Sequence, residues 1–386
     1  MHNTVTHPRV WLSTPHMSGT EITFINEAFN LNHVFPLGPN VIGFEEDIKA
    51  FSGSTHCTCL VSGTSAIHLA LIILGVQPGD EVICSSFTFS ASANPIVYLG
   101  ATPIFIDSED VTWNMNPDLL EIAIRERIAN GRKPKAIILV HLYGMPAQID
   151  KILSVADKYE IPVIEDAAES FGSTFNGIKT GTFSEIGIYS FNGNKVITTS
   201  GGGAMISRNE SHCKKALFLA TQARDSAPHY QHSSIGYNYR MSNISAGIGR
   251  GQMTVINDRI HKRRENYFFY RDALKEFEGI RFQDEPDDRF FSNHWLTTIL
   301  VDPEKTKGIT REHIRLKLEV LNIETRPLWK PMHLQPVFKD YPAYVNGTSE
   351  SMFAIGLCLP SSSSITDSDR NRVVESIREI LQKFNA

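Results

Sequence analysis

Hydrophobic and polar positions along the chain change period repeatedly, and the changes mark out its elements. Residues Thr20-Glu21-Ile22-Thr23-Phe24-Ile25-Asn26-Glu27-Ala28-Phe29-Asn30 set Ile22, Ile25 and Phe29 near one face at helical spacing. Phe35-Pro36-Leu37-Gly38-Pro39-Asn40 breaks that helix, and a second is expected over Val41–Phe51, stopping at Gly53. From there short apolar runs alternate with helical stretches. The β-like runs are Cys57–Val61, Glu81–Cys84, Thr102–Ile106, Ala136–His141, Pro162–Ile164 and Glu185–Phe191, with a further apolar run at Ala204-Met205-Ile206. Helical spacing fills Ser65–Leu74, Pro117–Ala129 and Ile149–Tyr159. Mostly apolar strands separated by helices predict an α/β fold with a parallel sheet covered on both faces.

Beyond Ala204 the chain reads as helix or loop through Arg224–Asn238, and the small-residue run Ala246-Gly247-Ile248-Gly249 lets helices approach closely. Charge density rises at Arg259, His261, Lys262, Arg263, Arg264 and Glu265. A smaller α+β segment follows, with a strand near Trp295–Val301 and a helix near Arg311–Leu321. Two domains are therefore expected: a large α/β domain over residues 1–260 and a small C-terminal α+β domain over 261–386.

In parallel sheets, ligands sit at the carboxyl ends of the strands. Four such ends carry candidate chemistry. Ser62-Gly63-Thr64-Ser65-Ala66 is a small-residue turn opening a helix; alone it is an ordinary N-cap, but its free N–H groups also favour phosphate. Ser85-Ser86-Phe87-Thr88-Phe89 brings aromatics to the sheet edge, where core packing is the plainer reading. Glu165-Asp166-Ala167-Ala168-Glu169 sets acids where a core strand should end, with Asp166 and Glu169 three apart and able to share a face on a first helical turn. Ser190-Phe191-Asn192-Gly193-Asn194-Lys195 ends a strand in one lysine, followed by Ser200-Gly201-Gly202-Gly203. A lysine so held is positioned by backbone, and desolvation there favours the neutral amine that nucleophilic and Schiff-base lysines need. Phosphate cradle, aromatic plate, carboxylate and lysine on one rim make up the set that pyridoxal phosphate uses.

Composition narrows the alternatives. With 41% hydrophobic and 20% charged residues the chain is an ordinary globular one, and a net charge of −5 offers no basic footprint for nucleic acid. Met1 to Val10 shows no secretory pattern, and runs such as Leu69–Val76 are too short to span a bilayer, so a cytoplasmic protein without membrane contact is expected. The five cysteines, Cys57, Cys59, Cys84, Cys213 and Cys358, are odd in number and scattered, which predicts buried free thiols. His56-Cys57-Thr58-Cys59 has no second ligand pair, so no metal site is expected. Neither a Gly-x-Gly-x-x-Gly after a strand nor a Walker loop occurs, which disfavours nicotinamide and nucleoside-triphosphate chemistry.

From Trp11-Leu12-Ser13 through Arg326-Pro327-Leu328-Trp329-Lys330-Pro331-Met332-His333 the chain resembles the DegT/DnrJ/EryC1/StrS family of nucleotide-sugar aminotransferases. Phe191-Asn192-Gly193-Asn194-Lys195 with Thr198-Thr199-Ser200-Gly201-Gly202-Gly203 is most similar to members of the UDP-N-acetylbacillosamine transaminase type. The resemblance implies a fold-type I enzyme, its large domain built on a mostly parallel seven-stranded sheet, working as a homodimer with pyridoxal 5′-phosphate. By resemblance Lys195 binds the cofactor covalently and Asp166 pairs with the ring nitrogen. Glu169 lies near the ring hydroxyl, where many relatives have glutamine. Thr64, Ser65 and Ser190 hold the phosphate, joined by Asn238 from the partner subunit. Phe89 stacks on the ring, with Phe87 the weaker match, and Arg326 and His333 fall in a segment near the sugar nucleotide.

The implied substrates are L-glutamate and a UDP-linked 4-keto-6-deoxy sugar. A related dehydratase branch has histidine in place of the lysine; Lys195 favours transamination. A GDP- or dTDP-linked 3- or 4-keto sugar and a non-catalytic cofactor- or sugar-nucleotide-binding regulator are the alternatives.

Overall fold

A computed structural model describes residues 7–383. The expectation about Met1 to Val10 falls partly on residues 1–6, outside the described residues. Helix α1 (Glu21–Asn30) leads to α2 (Pro39–Ser52), which starts on a proline and ends on Gly53 at φ 79°, a left-handed cap that suits glycine. Then come β1 (His56–Leu60), α3 (Gly63–Ile73), β2 (Glu81–Ser85), α4 (Asn94–Tyr98), β3 (Thr102–Ile106), α5 (Pro117–Ala129), β4 (Ala136–Val140), α6 (Ile149–Lys158) and β5 (Val163–Asp166). A hairpin of β6 (Thr174–Phe175) and β7 (Ile178–Lys179) precedes β8 (Ile186–Ser190), β9 (Gly203–Ser207), α7 (Glu210–Ala220), α8 (Asn243–Met253) and α9 (Ile256–Leu274). The remainder is β10 (Ile280–Phe282), β11 (Phe290–Phe291), β12 (Thr297–Val301), α10 (Arg311–Val320), β13 (Arg326–Pro327), β14 (Ala343–Tyr344), α11 (Thr348–Ile355), β15 (Gly356–Leu359) and α12 (Asp367–Lys383).

Among the described residues the main sheet has eight strands, not seven, in the order β1-β9-β8-β5-β4-β2-β3-β14. The extra strand is β14, two residues long and parallel to β3; so short an edge carries no alternating pattern to read. Only β9 runs against its neighbours in this sheet, pairing antiparallel with both β1 and β8. Every residue of β4 is buried, as a strand covered on both faces requires. Side-chain parity assigns the two faces. Ile138, Ile164, Ile186 and Ile188 pack on one side with Ala66, Leu69 and Ala70 of α3. Ile137, Leu139 and Val163 pack on the other with Leu120 and Ile124 of α5 and Ile152 of α6.

The small unit carries the antiparallel sheet β10-β12-β15-β13, whose core joins Val301 and Leu359 to Tyr270 of α9, Leu318 of α10 and Val373 of α12. The expected boundary near residue 260 falls inside α9, which runs unbroken through it. Two segments cross between the units: Val10 packs in the small unit's core, and β14 joins the large sheet. The expected small-residue contact forms on α8, where a Cβ on Gly249 would meet the Phe44 ring at 2.6 Å and one on Gly251 would meet Glu21 at 2.6 Å. The five cysteines are free, and all but the half-buried Cys57 are buried.

Candidate active site

Between β2 and β4 the chain order reverses, since β3 lies on one side of β2 and β4 on the other. At the carboxyl ends of the strands a cavity of about 320 Å³ opens there. Val61 after β1, Thr88, Phe89, Ala91 and Ser92 after β2, Val140 on β4, Asp166 on β5 and Ser190 on β8 all line it. Because β9 runs the opposite way, its start rather than its end reaches this rim and adds Gly201 and Gly202.

The floor is the start of α3. Ser62 caps the helix, its Oγ accepting the Ser65 N–H at 3.0 Å and meeting Ser65 Oγ at 2.8 Å. The N–H groups of Gly63 and Thr64 precede the first intrahelical bond and are left for a ligand. The turn sits tightly on its neighbours: a Cβ on Gly203 would come within 2.4 Å of the Ser62 and Gly63 backbone, and one on Gly63 within 3.2 Å of Ser190 Cβ. These glycines bring N–H groups and hydroxyls together where an anion fits.

Parity puts Asp166 on the α3 side of β5 with Ile164, and Glu165 on the other side. Asp166 Oδ2 accepts the Ser92 hydroxyl at 2.7 Å and Oδ1 the Ala168 N–H at 3.2 Å. Glu169 does not lie on a helical turn, because the chain after β5 makes tight turns instead. Its Oε2 accepts the Tyr143 N–H at 2.7 Å, and its Oε1 faces Lys195 Nζ at 3.6 Å. Burial pushes the Glu169 carboxyl up from its usual value, against the pull of Lys195 and the Tyr143 N–H.

Lys195 is nearly buried, 13% exposed. Its Nζ lies 4.1 Å from the centroid of the Trp295 ring, whose face attracts a cation. Its backbone is tethered by its own N–H to Asn192 O at 3.0 Å and by Arg263, which donates to Lys195 O at 3.2 Å. Trp295 Nε1–H donates to Asn194 O at 2.7 Å, fixing the neighbouring residue.

Of the residues expected from sequence, Thr64, Phe89, Asp166, Glu169, Ser190 and Lys195 share this cavity. Phe89 is half-exposed at the mouth, 5.3 Å from Trp329 ring to ring, whereas Phe87 is buried in the core. Ser65 stands behind the lining, occupied by Ser62. Asn238 is exposed and bridges to Thr221 through its backbone, outside the cavity of its own chain. Arg326 pairs with Glu324 on the surface, and His333 Nδ1 meets Ser86 Oγ at 2.6 Å; neither lines the cavity.

Sequence reasoning missed Ser92, Trp295, Trp329 and Arg263. Four tryptophans in the chain make each worth weighing, yet no spacing ties Trp295 or Trp329 to Lys195.

A near-buried lysine facing one of two cavity carboxyls, above an open helix start at a sheet's reversal point, defines the class: a pyridoxal phosphate enzyme of fold-type I. The residues present fit that cofactor, with an anion cradle that a Cβ would fill and an amine and acid for the aldehyde and ring. The chain belongs to the DegT/DnrJ/EryC1/StrS aminotransferase family, whose model matches residues 15–378. It is 50% identical over 373 residues to EpsN of Bacillus subtilis, covering 96% of this chain and 95% of that protein, whose name provisionally assigns it as a pyridoxal phosphate-dependent aminotransferase. It is 35% identical to GDP-perosamine synthase of Escherichia coli O157:H7, covering 95% of this chain and 96% of that one. A Brucella abortus aminotransferase of the family superposes with TM-score 0.87 at 28% identity, covering 94% and 95% of the two chains. The protein is thus an aminotransferase that depends on pyridoxal phosphate. Among the described residues no helix is long and apolar enough to cross a membrane.

Proposed function

We propose that the enzyme transfers an amino group from L-glutamate to UDP-2-acetamido-4-keto-2,6-dideoxyhexose, giving a 4-amino sugar for surface glycan or glycoprotein synthesis in the cytoplasm. The observation that carries this reading is the lysine amine and two carboxyls lining one cavity above the open start of α3. Bound pyridoxal phosphate supplies an electron-accepting ring that carries the amino group between the two substrates. Thr64 and Ser190, with the helix N–H groups and Ser65 behind them, take the phosphate. Asp166, oriented by Ser92, would pair with the ring nitrogen; Phe89 would stack on the ring and Glu169 would hold its hydroxyl. Lys195 Nζ holds the cofactor and, once released, moves the proton from the donor's α-carbon. Arg326 and His333 belong to the sugar-nucleotide side.

The site is completed in a homodimer, with Asn238 of the partner subunit reaching the phosphate. Two facts support this: Asn238 is exposed on its own chain, and α1, α2 and the turn between them present Ile22, Phe29, Leu37 and Ile42 to solvent at 57–62% exposure. The division into units of residues 1–260 and 261–386 is likewise our reading. A GDP-linked keto sugar is the second reading, favoured by the name of the E. coli relative.

The test is product identification from a panel of UDP-, GDP- and dTDP-linked keto sugars with glutamate, beside Lys195→Ala. Amination of the UDP sugar at C4, abolished in the variant, is expected. Turnover by Lys195→Ala at the wild-type rate refutes the mechanism, and preference for another nucleotide refutes the substrate.

A further inference from the structure

Two carboxyls line the cavity, and only one of them is aimed at the lysine. Asp166 spends both oxygens on Ser92 and the Ala168 N–H. Glu169 spends Oε2 on the Tyr143 N–H and turns Oε1 toward Lys195 Nζ, 3.6 Å away. The backbone behind Glu169 is also pinned, since Asn293 Nδ2 donates to its carbonyl at 3.0 Å. The amine's other close neighbour is the Trp295 ring, which attracts a cation but accepts no proton.

An ammonium this deep has little water to discharge into. We propose that Glu169 is the proton partner of Lys195, taking one proton from Nζ onto Oε1 when the lysine must act as a free base and returning it afterwards. The N–H bond breaks, an O–H bond forms, and nothing is oxidised. A small rotation of either side chain brings the pair within the roughly 2.6–3.2 Å of a working acid–base contact. An amide at this position could accept the same hydrogen bond and hold no proton.

The groups facing Glu169 are Lys195, Asp166 on β5, Tyr143 after β4, Trp329, and Cys358 on β15 beside the Tyr143 phenol. Burial raises the carboxyl's affinity for a proton.

The inference rests on Lys195 being the reactive lysine, so the experiment reads that lysine directly. The full-length chain, with and without pyridoxamine 5′-phosphate, which leaves the amine free, is treated with an amine-acylating reagent across pH. Modification of Lys195 is then quantified by mass spectrometry. In Glu169→Gln the labelling midpoint is expected to fall by about one pH unit or more, because a nearby opposite charge no longer favours the ammonium. Glu169→Asp, with a retracted carboxyl, keeps part of the wild-type midpoint and serves if the glutamine variant does not fold. Coincident curves for wild type and either folded variant overturn the proposal. That result in an enzyme that still turns over leaves the functional reading standing. A chain that borohydride never links to the cofactor at Lys195 sinks the functional reading, while the cofactor-free labelling still decides the pair.

Discussion

Arg263 is the residue through which the rest of the chain holds Lys195, and replacing it by methionine tests that dependence. The guanidinium is 1% exposed on α9. It donates to Trp295 O at 2.6 Å, Ser361 O at 3.0 Å, Ser13 Oγ at 3.1 Å and Lys195 O at 3.2 Å. These acceptors lie on four separate segments, so one side chain ties the lysine loop, the N-terminal segment and the small unit together. Methionine fills much of the volume and donates nothing. Hydrogen bonds from a charged group contribute about 1.5–3 kcal/mol each, but the sum overstates the loss. Burying the guanidinium costs several kcal/mol, and the variant recovers that. A net destabilisation of about 3 kcal/mol is expected. Over 386 residues, an unfolding entropy of roughly 2.1 cal/mol/K per residue turns this into a Tm drop of about 4 °C. Calorimetry measures the drop, and equilibrium dialysis measures cofactor retention, which should weaken because the Lys195 carbonyl loses its tether. Arg263→Lys, with three donors on a point charge, should recover part of both. A Tm within about 1 °C of wild type together with unchanged retention refutes the reasoning.

Gly203→Ala should destabilise the protein and release cofactor, since the new Cβ would sit 2.4 Å from the Ser62 and Gly63 backbone and neither can give way; overpacking of this kind costs about 1–3 kcal/mol. Retention equal to wild type would show that the cradle tolerates a methyl group. Ser92→Ala removes the 2.7 Å bond to Asp166 and should weaken cofactor binding while lowering stability by about 1 kcal/mol, read by dialysis and denaturant titration.

Glu165 sets a pH dependence. Burial would push its carboxyl up, but His141 and the Gly181 and Ser184 N–H groups outweigh that and hold it below the usual value. His141 Nδ1 accepts the Ala147 N–H, so its Nε2–H is the donor to Glu165. A depressed carboxyl contributes stability that is fully present above its unfolded value of about 4.3 and is lost as pH falls through the lower folded value. Wild-type Tm should therefore fall below about pH 4.3, and Glu165→Gln, less stable at neutral pH, should fall less steeply there. Parallel acid limbs would exclude Glu165 as the cause.

The chain's local pattern was enough for much of the fold. The first seven strands of the main sheet lie where apolar runs occur, and α5 spans Pro117–Ala129 as the helical spacing predicts. Candidate residues at strand ends, Thr64, Asp166, Ser190 and Lys195, share one cavity because a parallel sheet brings its carboxyl ends to one edge. Even the side of the sheet on which Asp166 lies follows from counting by two along β5. Local sequence reports only on the burial of its own segment. The antiparallel entry of β9, the two-residue strand β14 and the turns that replace a helix at Glu169 depend on what packs against them. The same holds for Arg263, Trp295 and Trp329, which reach the Lys195 region from 68, 100 and 134 residues along the chain. Such contacts leave no periodicity behind, because each is a single meeting of distant segments, and only the folded arrangement decides that they occur.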